Sequence, residues 1–384
     1  MNFIFIGYEY WNTPIRRHHH IVKNIARNGH FCVFLDPPVF IGKILKNKKV
    51  SLPRIKRVDE NVILYSPISV LPFSRYRIPR EINSAIFRRD LENIFKKYKV
   101  NGDKTILFIW DFWEIDNYLN KIKYDLIVFD IYDNYMEYHS DDKMKQKALD
   151  KIIFAIDCSD KVLTSSSMQY EFACKYKEEE QVFLIPNGVD VENYFKTSFV
   201  SKIFDDDKPI IVYLGGNSFS SCPKIDWDLL DVITDSDEYN FLFIGPLGDK
   251  KNIMLERIKK KKNVAFIGLV DAHNVPSLLR NCSIAMLPWR MTKFTEWIFP
   301  LKVNEYMAAG LPIVSVGIPD MINLRGKYPK DIFVAETYHN FIDLCKKAQH
   351  FNSMEDQARR KNIAKNNSWM NKVEEILATI ISEF

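Results

Sequence analysis

The chain has 384 residues, of which 47% are apolar and 27% charged, and its net charge is +5. This length favours two domains, and the composition excludes an intrinsically disordered chain. No apolar run reaches 18 residues and the N-terminus lacks a signal-peptide pattern, so we expect a cytoplasmic protein without a membrane-spanning helix.

Short apolar runs alternate with helical stretches in the first half, which indicates α/β layers with mainly parallel strands. The predicted strands are Phe3–Ile6, Phe31–Leu35, Val62–Tyr65, Thr105–Trp110, Leu126–Ile131, Lys161–Thr164 and Val182–Ile185. The predicted helices are Arg16–Asn28, Arg80–Lys97, Asp142–Ile156 and Met168–Tyr176.

The first hundred residues are strongly basic. They hold 19 Lys and Arg against 7 Asp and Glu, whereas the remainder holds 35 against 42. The excess lies in two clusters: Lys43, Lys46, Lys48, Lys49, Arg54, Lys56 and Arg57, then Arg75, Arg77, Arg80, Arg88 and Arg89. Apolar residues interleave these clusters, so they fit either an anionic membrane surface, reached from the cytoplasm, or a solvated basic face. No nucleic-acid-binding motif accompanies them.

The second half repeats the alternation, which favours two doubly wound sheets in series. Its predicted strands are Pro209–Leu214, Asn240–Ile244, Val264–Ile267, Ser283–Leu287, Ile313–Val316 and Asp331–Val334. Its predicted helices are Asp226–Thr234, Ile253–Lys260, Val275–Asn281, Leu301–Ala309 and His339–Gln349. The turn signal Asn187-Gly188 divides the chain into domains at 1–187 and 188–365, followed by a terminal helical segment at 366–384.

Two segments of the second half are typical of an anion site. Gly215-Gly216 follows a strand, where glycines let the backbone approach a phosphate closely or simply make a turn. In the second segment, Pro300 precedes a helix that ends at Gly310, and the helix N-terminus favours negative charge. Lys302 adds a cation there, and Glu305 either accepts hydrogen bonds from a ribose or pairs with Lys302.

None of the six cysteines lies in a Cys-x-x-Cys pair, and no Cys/His cluster has metal-ligand spacing. No Asp-x-Asp metal motif follows a strand either. We therefore expect reduced thiols and no metal.

Residues 300–314, PLKVNEYMAAGLPIV, resemble the donor-site helix of glycosyltransferase family 4. IPNGVD at 185–190, with Phe195, resembles the interdomain hinge of that family, and FIGP at 243–246 and VAFIG at 264–268 resemble its next strands. Trp369 resembles the start of its terminal helix, which crosses back to the N-terminal domain. YLGG at 213–216 followed by DWDLL at 226–230 is most similar to teichuronic-acid-type transferases. The resemblance implies the GT-B fold, in which two Rossmann-like domains with doubly wound parallel sheets face each other across a cleft.

The resemblance also implies where a nucleotide diphosphate sugar would bind, with a UDP-sugar favoured and no other cofactor. Glu305 would hold the ribose, Lys302 with Gly215 and Gly216 the diphosphate, and the loop at Val270 the base. Thr295 belongs to the same donor-binding set. The sequence departs from the family at the first acid of its Glu-x7-Glu motif, where Trp297 stands beside Glu296. The usual Arg/Lys phosphate pair is also missing, and Lys224, Arg290 or Lys293 are the substitutes.

The N-terminal domain would bind the acceptor. Arg17, His19 and His20 lie at the start of the first helix, with Arg17 as an acceptor-binding residue and both histidines as catalytic candidates. Asp133 follows a strand, with the acceptor candidate Asn134 beside it. Asp133 is the first candidate for a general base or, alternatively, caps the turn. Asp111 and Glu114 are the second choice, and a retaining enzyme would need no such base.

These features predict a metal-independent hexosyltransferase that acts on a saccharide or lipid-linked saccharide in envelope or exopolysaccharide synthesis. Two alternatives remain open. One is a catalytically inactive nucleotide-sugar-binding scaffold, which Trp297 favours. The other is a different GT-B enzyme, an epimerase or a glycerophosphotransferase. A dehydrogenase is disfavoured because Gly7-Tyr8-Glu9 lacks the remaining glycines of its motif.

Overall fold

The computed structural model describes residues 1–13, 15–42, 55–71, 77–98, 104–113, 115–119, 122–195, 202–216, 224–246 and 253–384. They form two α/β units, each around its own sheet. The strands of the first unit are β1 (Asn2–Ile6), β2 (Phe31–Leu35), β3 (Val39–Phe40), β4 (Ile55–Asp59), β5 (Val62–Tyr65), β6 (Ile68–Ser69), β7 (Thr105–Ile109), β8 (Leu126–Ile131), β9 (Lys161–Thr164) and β10 (Val182–Leu184). Those of the second are β11 (Ile210–Leu214), β12 (Asn240–Ile244), β13 (Val264–Gly268), β14 (Ile284–Leu287), β15 (Ile313–Val316) and β16 (Ile332–Ala335).

Helices surround both sheets. In the first unit they are Arg17–Arg27, Arg77–Lys97, Ile115–Leu119, Asp142–Cys158, Ser167–Ala173 and Glu192–Phe195. In the second they are Trp227–Ile233, Ile253–Ile258, Val275–Arg280, Lys293–Glu296, Lys302–Ala309, Pro319–Lys327, Tyr338–Gln349, Met354–Asn366 and Trp369–Ile381. Five of these helices were not expected from the sequence: Ile115–Leu119, Glu192–Phe195, Lys293–Glu296, Pro319–Lys327 and Met354–Asn366.

The strand order reverses once within each sheet. The first sheet runs β10-β9-β8-β7-β1-β2-β5-β4, and every neighbouring pair is parallel except β4 with β5. The second runs β13-β12-β11-β14-β15-β16 and is parallel throughout. In chain order the second sheet is therefore 3-2-1-4-5-6, the order of dinucleotide-binding folds. The predicted pair of doubly wound sheets is confirmed, and the strand order reverses between β1 and β7 and between β11 and β14.

The first sheet is buried on both faces, as its continuous apolar strands predict. In β1, Ile4 and Ile6 belong to one core cluster, whereas Phe3 and Phe5 belong to another. The second of these clusters also contains Trp369 and four further apolar residues of the C-terminal helix Trp369–Ile381. The C-terminal helix therefore packs on the N-terminal unit, although the second sheet precedes it in the chain.

Only part of the basic surface lies within the described residues. Lys56, Arg57, Arg88 and Arg89 are exposed, but Lys43, Lys46, Lys48, Lys49, Arg54 and Arg75 lie outside those residues. Ile78 and Ile82 are also exposed, on the helix that carries Arg88 and Arg89. An anionic partner for this face stays a prediction. Within the described ranges, no helix is both long and apolar enough to span a bilayer.

Candidate active site

Two glycine turns end β11 and β12 and pack directly against each other. Gly215 has φ +155° and Gly245 has φ +132°, a region that favours glycine. A Cβ on Gly245 would lie 2.4 Å from the Gly215 carbonyl oxygen, and one on Gly216 would lie 2.9 Å from Cγ of Pro246. The close approach of these turns therefore requires glycine whether or not a phosphate binds. The rest of the loop, including Asn217 and Ser218, lies outside the described residues.

The helix Lys302–Ala309, here called the donor helix, is bonded to the end of β11, the strand that precedes the first of these turns. Its first residue is Lys302, and Gly310 ends it with φ +84°. Tyr306 fixes its position, because the buried Tyr306 hydroxyl accepts from the Leu214 N–H at 2.7 Å and donates to the Met286 carbonyl at 3.4 Å. The donor helix is thus attached to the ends of β11 and β14, where the strand order reverses.

Lys302 and Glu305 pair with each other. The Lys302 Nζ lies 3.2 Å from Oε1 and 3.0 Å from Oε2 of Glu305, and both side chains are partly exposed. The charge of Glu305 also raises the pKa of the adjacent Tyr194, although burial is the larger cause. This is the ion pair that the sequence left open as an alternative. Such a half-exposed pair contributes on the order of 1 kcal/mol or less, so a ligand can separate it.

The other predicted donor residues have different surroundings. Thr295 is fully buried, and its hydroxyl donates to the Arg290 carbonyl at 2.6 Å, so it stabilises a turn. Val270 is half-buried and packs against the hydrophobic core of the C-terminal unit. Lys224, one of the substitutes, lies over the rings of Trp289 and Phe294 at 5.3 and 5.1 Å. The structure thus gives Thr295 a role in the fold.

Arg290 lines a separate cavity of about 700 Å³ at the ends of β15 and β16. Its guanidinium lies 3.3 Å from Asp228, which lines the same cavity. Neither Lys302 nor Glu305 lines that cavity. Arg290 and Glu305 therefore do not share this cavity.

The carboxyl end of β8 is followed by Asp133, the predicted general base. Asp133 accepts from the Asn134 N–H at 2.8 Å and from the Tyr138 hydroxyl at 2.5 Å. Burial, followed by the charge of Asp133, raises the pKa of Tyr138, so its hydroxyl stays a donor. The Tyr138 ring packs on Phe294 of the C-terminal unit, with centroids 5.8 Å apart. Asp133 therefore lies where the two units meet.

Asn134 is part of the same contact. Its side-chain oxygen accepts from the Glu137 N–H at 3.4 Å, and its Nδ2 donates to the Lys293 carbonyl at 2.9 Å. Asn134, and not Asp133, thus caps the 3₁₀ turn Tyr135–Tyr138. Asn134 is buried and bonded across the interface, which favours a structural role over acceptor binding.

Glu9, at the end of β1, lies close enough to Asp133 for their charges to interact. Burial raises the pKa of Glu9, Arg16 lowers it and Asp133 raises it further. One Glu9 oxygen pairs with Arg16, and the other is buried without a hydrogen-bond partner among the described residues. Neither Glu9 nor Tyr138 was predicted from the sequence as a site residue. The signal was available for Glu9, since it follows the strand at which the sheet order reverses.

The predicted histidines are packed within the fold. His19 Nδ1 accepts from the Arg16 N–H at 3.1 Å and its Nε2 lies 2.7 Å from the Trp11 carbonyl oxygen. The ring of His20 stacks on Trp369 at 4.8 Å and 7°. Burial lowers the pKa of His20 to about 3, so it is a very weak base. The structure therefore gives both rings structural partners.

Arg17 is likewise bonded inside the protein. Its guanidinium makes two hydrogen bonds of 2.9 Å to Asp130, and the two side chains are 1% and 0% exposed. A predicted acceptor-binding group would need an accessible side chain, so the burial of Arg17 argues against that role. Of the second choices, Asp111 is buried and accepts from the Trp113 N–H at 3.0 Å. Glu114 lies outside the described residues.

Trp297, where the resembling family has its first acid, joins the two units. Its ring packs on Phe172 with centroids 5.0 Å apart, and its carbonyl accepts from Ser166 Oγ at 2.7 Å and Gln169 Nε2 at 2.9 Å. Glu296 beside it is half-buried. The position of the missing acid is thus part of the interface.

In the part of the chain that the structure describes, no group of three or more His, Cys, Asp or Glu residues is arranged to hold a metal.

Comparison with known proteins gives matches at two levels. Residues 211–345 match the family described as Glycosyl transferases group 1. TuaH of Bacillus subtilis strain 168, assigned to teichuronic acid biosynthesis as a glycosyltransferase, is 25% identical over 195 residues. That match covers 50% of this chain and 48% of TuaH, so the chain spans about half the length of the curated relative it matches.

Solved structures match over the whole chain. Sucrose-phosphate synthase from Thermosynechococcus elongatus has a TM-score of 0.66 at 12% identity, covering 100% of this chain and 99% of its own. HepE from Anabaena, solved with UDP, has a TM-score of 0.65 at 12% identity and full coverage of both chains. HepE has also been solved with UDP-glucose. At this identity the likeness concerns the fold.

Proposed function

We propose that this chain, in which residues 211–345 are a group 1 glycosyltransferase domain within a GT-B fold, transfers a sugar from a nucleotide diphosphate to an acceptor hydroxyl. The observation that carries the proposal is the placement of Lys302 and Glu305 on the first turn of a helix attached to the β11/β14 crevice. In doubly wound sheets that crevice takes nucleotides.

Donor binding would separate the Lys302–Glu305 pair. The Glu305 carboxylate would accept from the ribose hydroxyls, and the Lys302 ammonium would turn to the diphosphate. The N–H groups of the first helical turn add positive potential at the same point. Breaking the sugar–phosphate bond leaves negative charge on the phosphate, and these fixed positive groups would stabilise it. A UDP-sugar is favoured because HepE, of the same fold, was solved with UDP and UDP-glucose.

Acceptor activation would occur at the end of β8. Asp133 would take the proton of the attacking hydroxyl, because it is a carboxylate of the N-terminal unit whose partner Tyr138 contacts Phe294 of the other unit. The acceptor is proposed to be a saccharide or lipid-linked saccharide in envelope polysaccharide synthesis, as suggested by the partial match to TuaH.

The proposal is tested by calorimetric titration of wild type and Lys302→Ala with UDP, GDP, CDP, ADP and dTDP. We expect one diphosphate to bind, and its Kd to rise roughly 10- to 100-fold in the variant, the loss expected for a charge-assisted hydrogen bond. Lys330→Ala, which removes an exposed lysine of the same unit, is the matched control and should bind normally. Absence of binding by all five nucleotides would contradict the proposed function.

A further inference from the structure

A fully buried ion pair lies at the centre of the N-terminal unit. Asp130 accepts two hydrogen bonds from Arg17 and a third from the Trp110 indole N–H at 2.7 Å. Burying two charges is costly unless all their polar groups are bonded. The Nη1 of Arg17 donates to the Asn187 side-chain oxygen at 3.3 Å. Asn187 therefore helps to satisfy the buried charge.

Asn187 also contacts the start of the donor helix. Its side-chain Nδ2 donates to the Phe299 carbonyl at 3.4 Å, and its own carbonyl accepts from Asn304 Nδ2 at 2.5 Å. Asn187 and Asn304 are each 5% exposed, so water does not replace these bonds readily. One hinge residue is therefore bonded to the first helix and to both sides of the donor-helix N-terminus.

The geometry of these bonds restricts the donor site. Phe299 lies three residues before Lys302 and Asn304 two residues after it. The amide of Asn187 is oriented by Arg17, which accepts nothing and so must face the side-chain oxygen. The opposite, NH₂ side of the amide then faces Phe299. A shift of the donor helix away from the N-terminal unit would break bonds on both sides and leave buried polar groups unpaired.

We infer that Asn187 is a positioning residue that holds the N-terminus of the donor helix against the buried Arg17–Asp130 pair. The inference rests on the proposed function, since it assigns the positioned groups to donor binding. The donor site is then complete only when the two units are in contact. Ser166 and Gln169 also bond across the interface, to the Trp297 carbonyl.

The test uses Asn187→Ala, Asn304→Ala and the double variant, titrated with UDP, with small-angle X-ray scattering of each protein. We expect each single substitution to raise the Kd for UDP about tenfold. Asn187→Ala removes the side-chain bonds to Arg17 and Phe299 but keeps the backbone carbonyl that Asn304 bonds, so the two substitutions remove different bonds that hold one helix end. Because loss of either bond set releases that end, we expect the double variant to lose less than the product of the two single losses. We also expect a larger radius of gyration than that of the wild type. Asn323→Ala, an exposed position, is the control.

The outcomes separate the inference from its premise. Wild-type Kd and radius of gyration in the variants, with only a lower melting temperature, would overturn the inference and leave Asn187 a structural residue. Multiplicative losses in the double variant would also overturn it. Failure of the wild-type protein to bind UDP or another diphosphate would instead contradict the proposed function, and the radius of gyration would then decide on the coupling. Asn304→Ala leaves the Arg17–Asp130 pair intact and serves if Asn187→Ala does not fold.

Discussion

At the scale of single residues, the proposed base Asp133 is oriented by its neighbour Tyr138. The Tyr138 hydroxyl donates to one carboxylate oxygen, and the Asn134 N–H donates to the other. Each oxygen keeps a second lone pair, because a carboxylate accepts about four hydrogen bonds. Tyr138 also contacts Phe294. Asp133 is thus oriented and still able to accept a proton.

We predict that Asp133→Asn lowers kcat at least 100-fold, the usual contribution of a general base, while the Kd for UDP changes little. Tyr138→Phe keeps the carboxylate but removes its orienting bond, so we expect a smaller loss, roughly tenfold. Steady-state kinetics with a UDP-sugar checks both variants, with the exposed Asp157→Asn as control. Normal turnover by Asp133→Asn would exclude it as the base. Loss of turnover in Glu9→Gln would then move that role to Glu9.

Sequence patterns identified the positions of Asp133, Lys302 and Glu305 because each follows a strand end or opens a helix. They could not show that Arg17 is buried. A basic residue near the start of a helix gives the same sequence pattern whether its side chain is exposed to solvent or buried under the hinge. The bonding partners of Arg17, Asp130 and Asn187, are 113 and 170 residues away in the chain. Contacts of that separation leave no local signal.

At the scale of elements, helix Met354–Asn366 shows why hydrophobic periodicity misses some helices. Its buried residues are Arg360 and Ala364, so it has almost no apolar stripe. Arg360 is fully buried, and it donates to the Gly310 carbonyl at 2.7 Å and to Asp331 at 3.2 Å. The helix is held on the end of the donor helix by a polar side chain. By contrast, strands with continuous apolar runs were predicted to within about two residues, because the sheet buries both faces.

The first helix, Arg17–Arg27, contains a buried titratable side chain, His18. Burial, aided by the charges of His19, Arg16 and His20, lowers the pKa of His18 to about 3. The side chain is 3% exposed and its Nε2 has no hydrogen-bond partner among the described residues. His18 is therefore neutral when folded and charged at mildly acidic pH only when unfolded.

The direction of the pH effect follows from this difference. Above pH 6.5, His18 is neutral in both the folded and the unfolded state, so its protonation costs the folded state no stability. As the pH falls from 6.5 toward 3, the unfolded state binds the extra proton and stability is lost at about 1.4 kcal/mol per pH unit. Between pH 7 and pH 5, we therefore expect His18 to lower the free energy of unfolding by about 2 kcal/mol. We predict that His18→Phe loses about 2 kcal/mol less stability than the wild type over this pH range, as measured by urea unfolding. His139→Phe, which alters a half-buried histidine, is the comparison. An unchanged pH dependence in His18→Phe would contradict the buried, neutral state.

At the scale of the whole molecule, the GT-B fold expected from the sequence is confirmed by the two doubly wound sheets and the solved structures that cover the full chain. What the sequence could not provide is the way the units meet. The contacts use backbone carbonyls of Lys293, Trp297 and Phe299, and carbonyl positions are not encoded by side-chain type. In the sequence, Trp297 stands where the resembling family has an acidic residue, which suggests a lost function. In the structure, its ring packs on Phe172.

The hinge is also held by the C-terminal helix, and this contact explains Gly188. The Val189 N–H donates to the Asn367 carbonyl and the Trp369 N–H to the Val189 carbonyl, each at 3.1 Å. A Cβ on Gly188 would lie 2.9 Å from the backbone nitrogen and 3.0 Å from the Cα of Trp369. These atoms belong to backbone fixed by the two bonds, so they cannot move aside cheaply.

We therefore predict that Gly188→Ala lowers the free energy of unfolding by about 1–3 kcal/mol, as overpacking does in a tight contact. Gly326→Ala is the matched control, because Gly326 lies in a helix with nothing within 4 Å of the added Cβ. It should raise stability by up to about 1 kcal/mol, since alanine favours helix more than glycine does. Urea unfolding followed by tryptophan fluorescence measures both. Equal free energies of unfolding for the two variants would mean that the hinge can move away from the C-terminal helix at no cost. The C-terminal helix would then not be what fixes the position of Gly188.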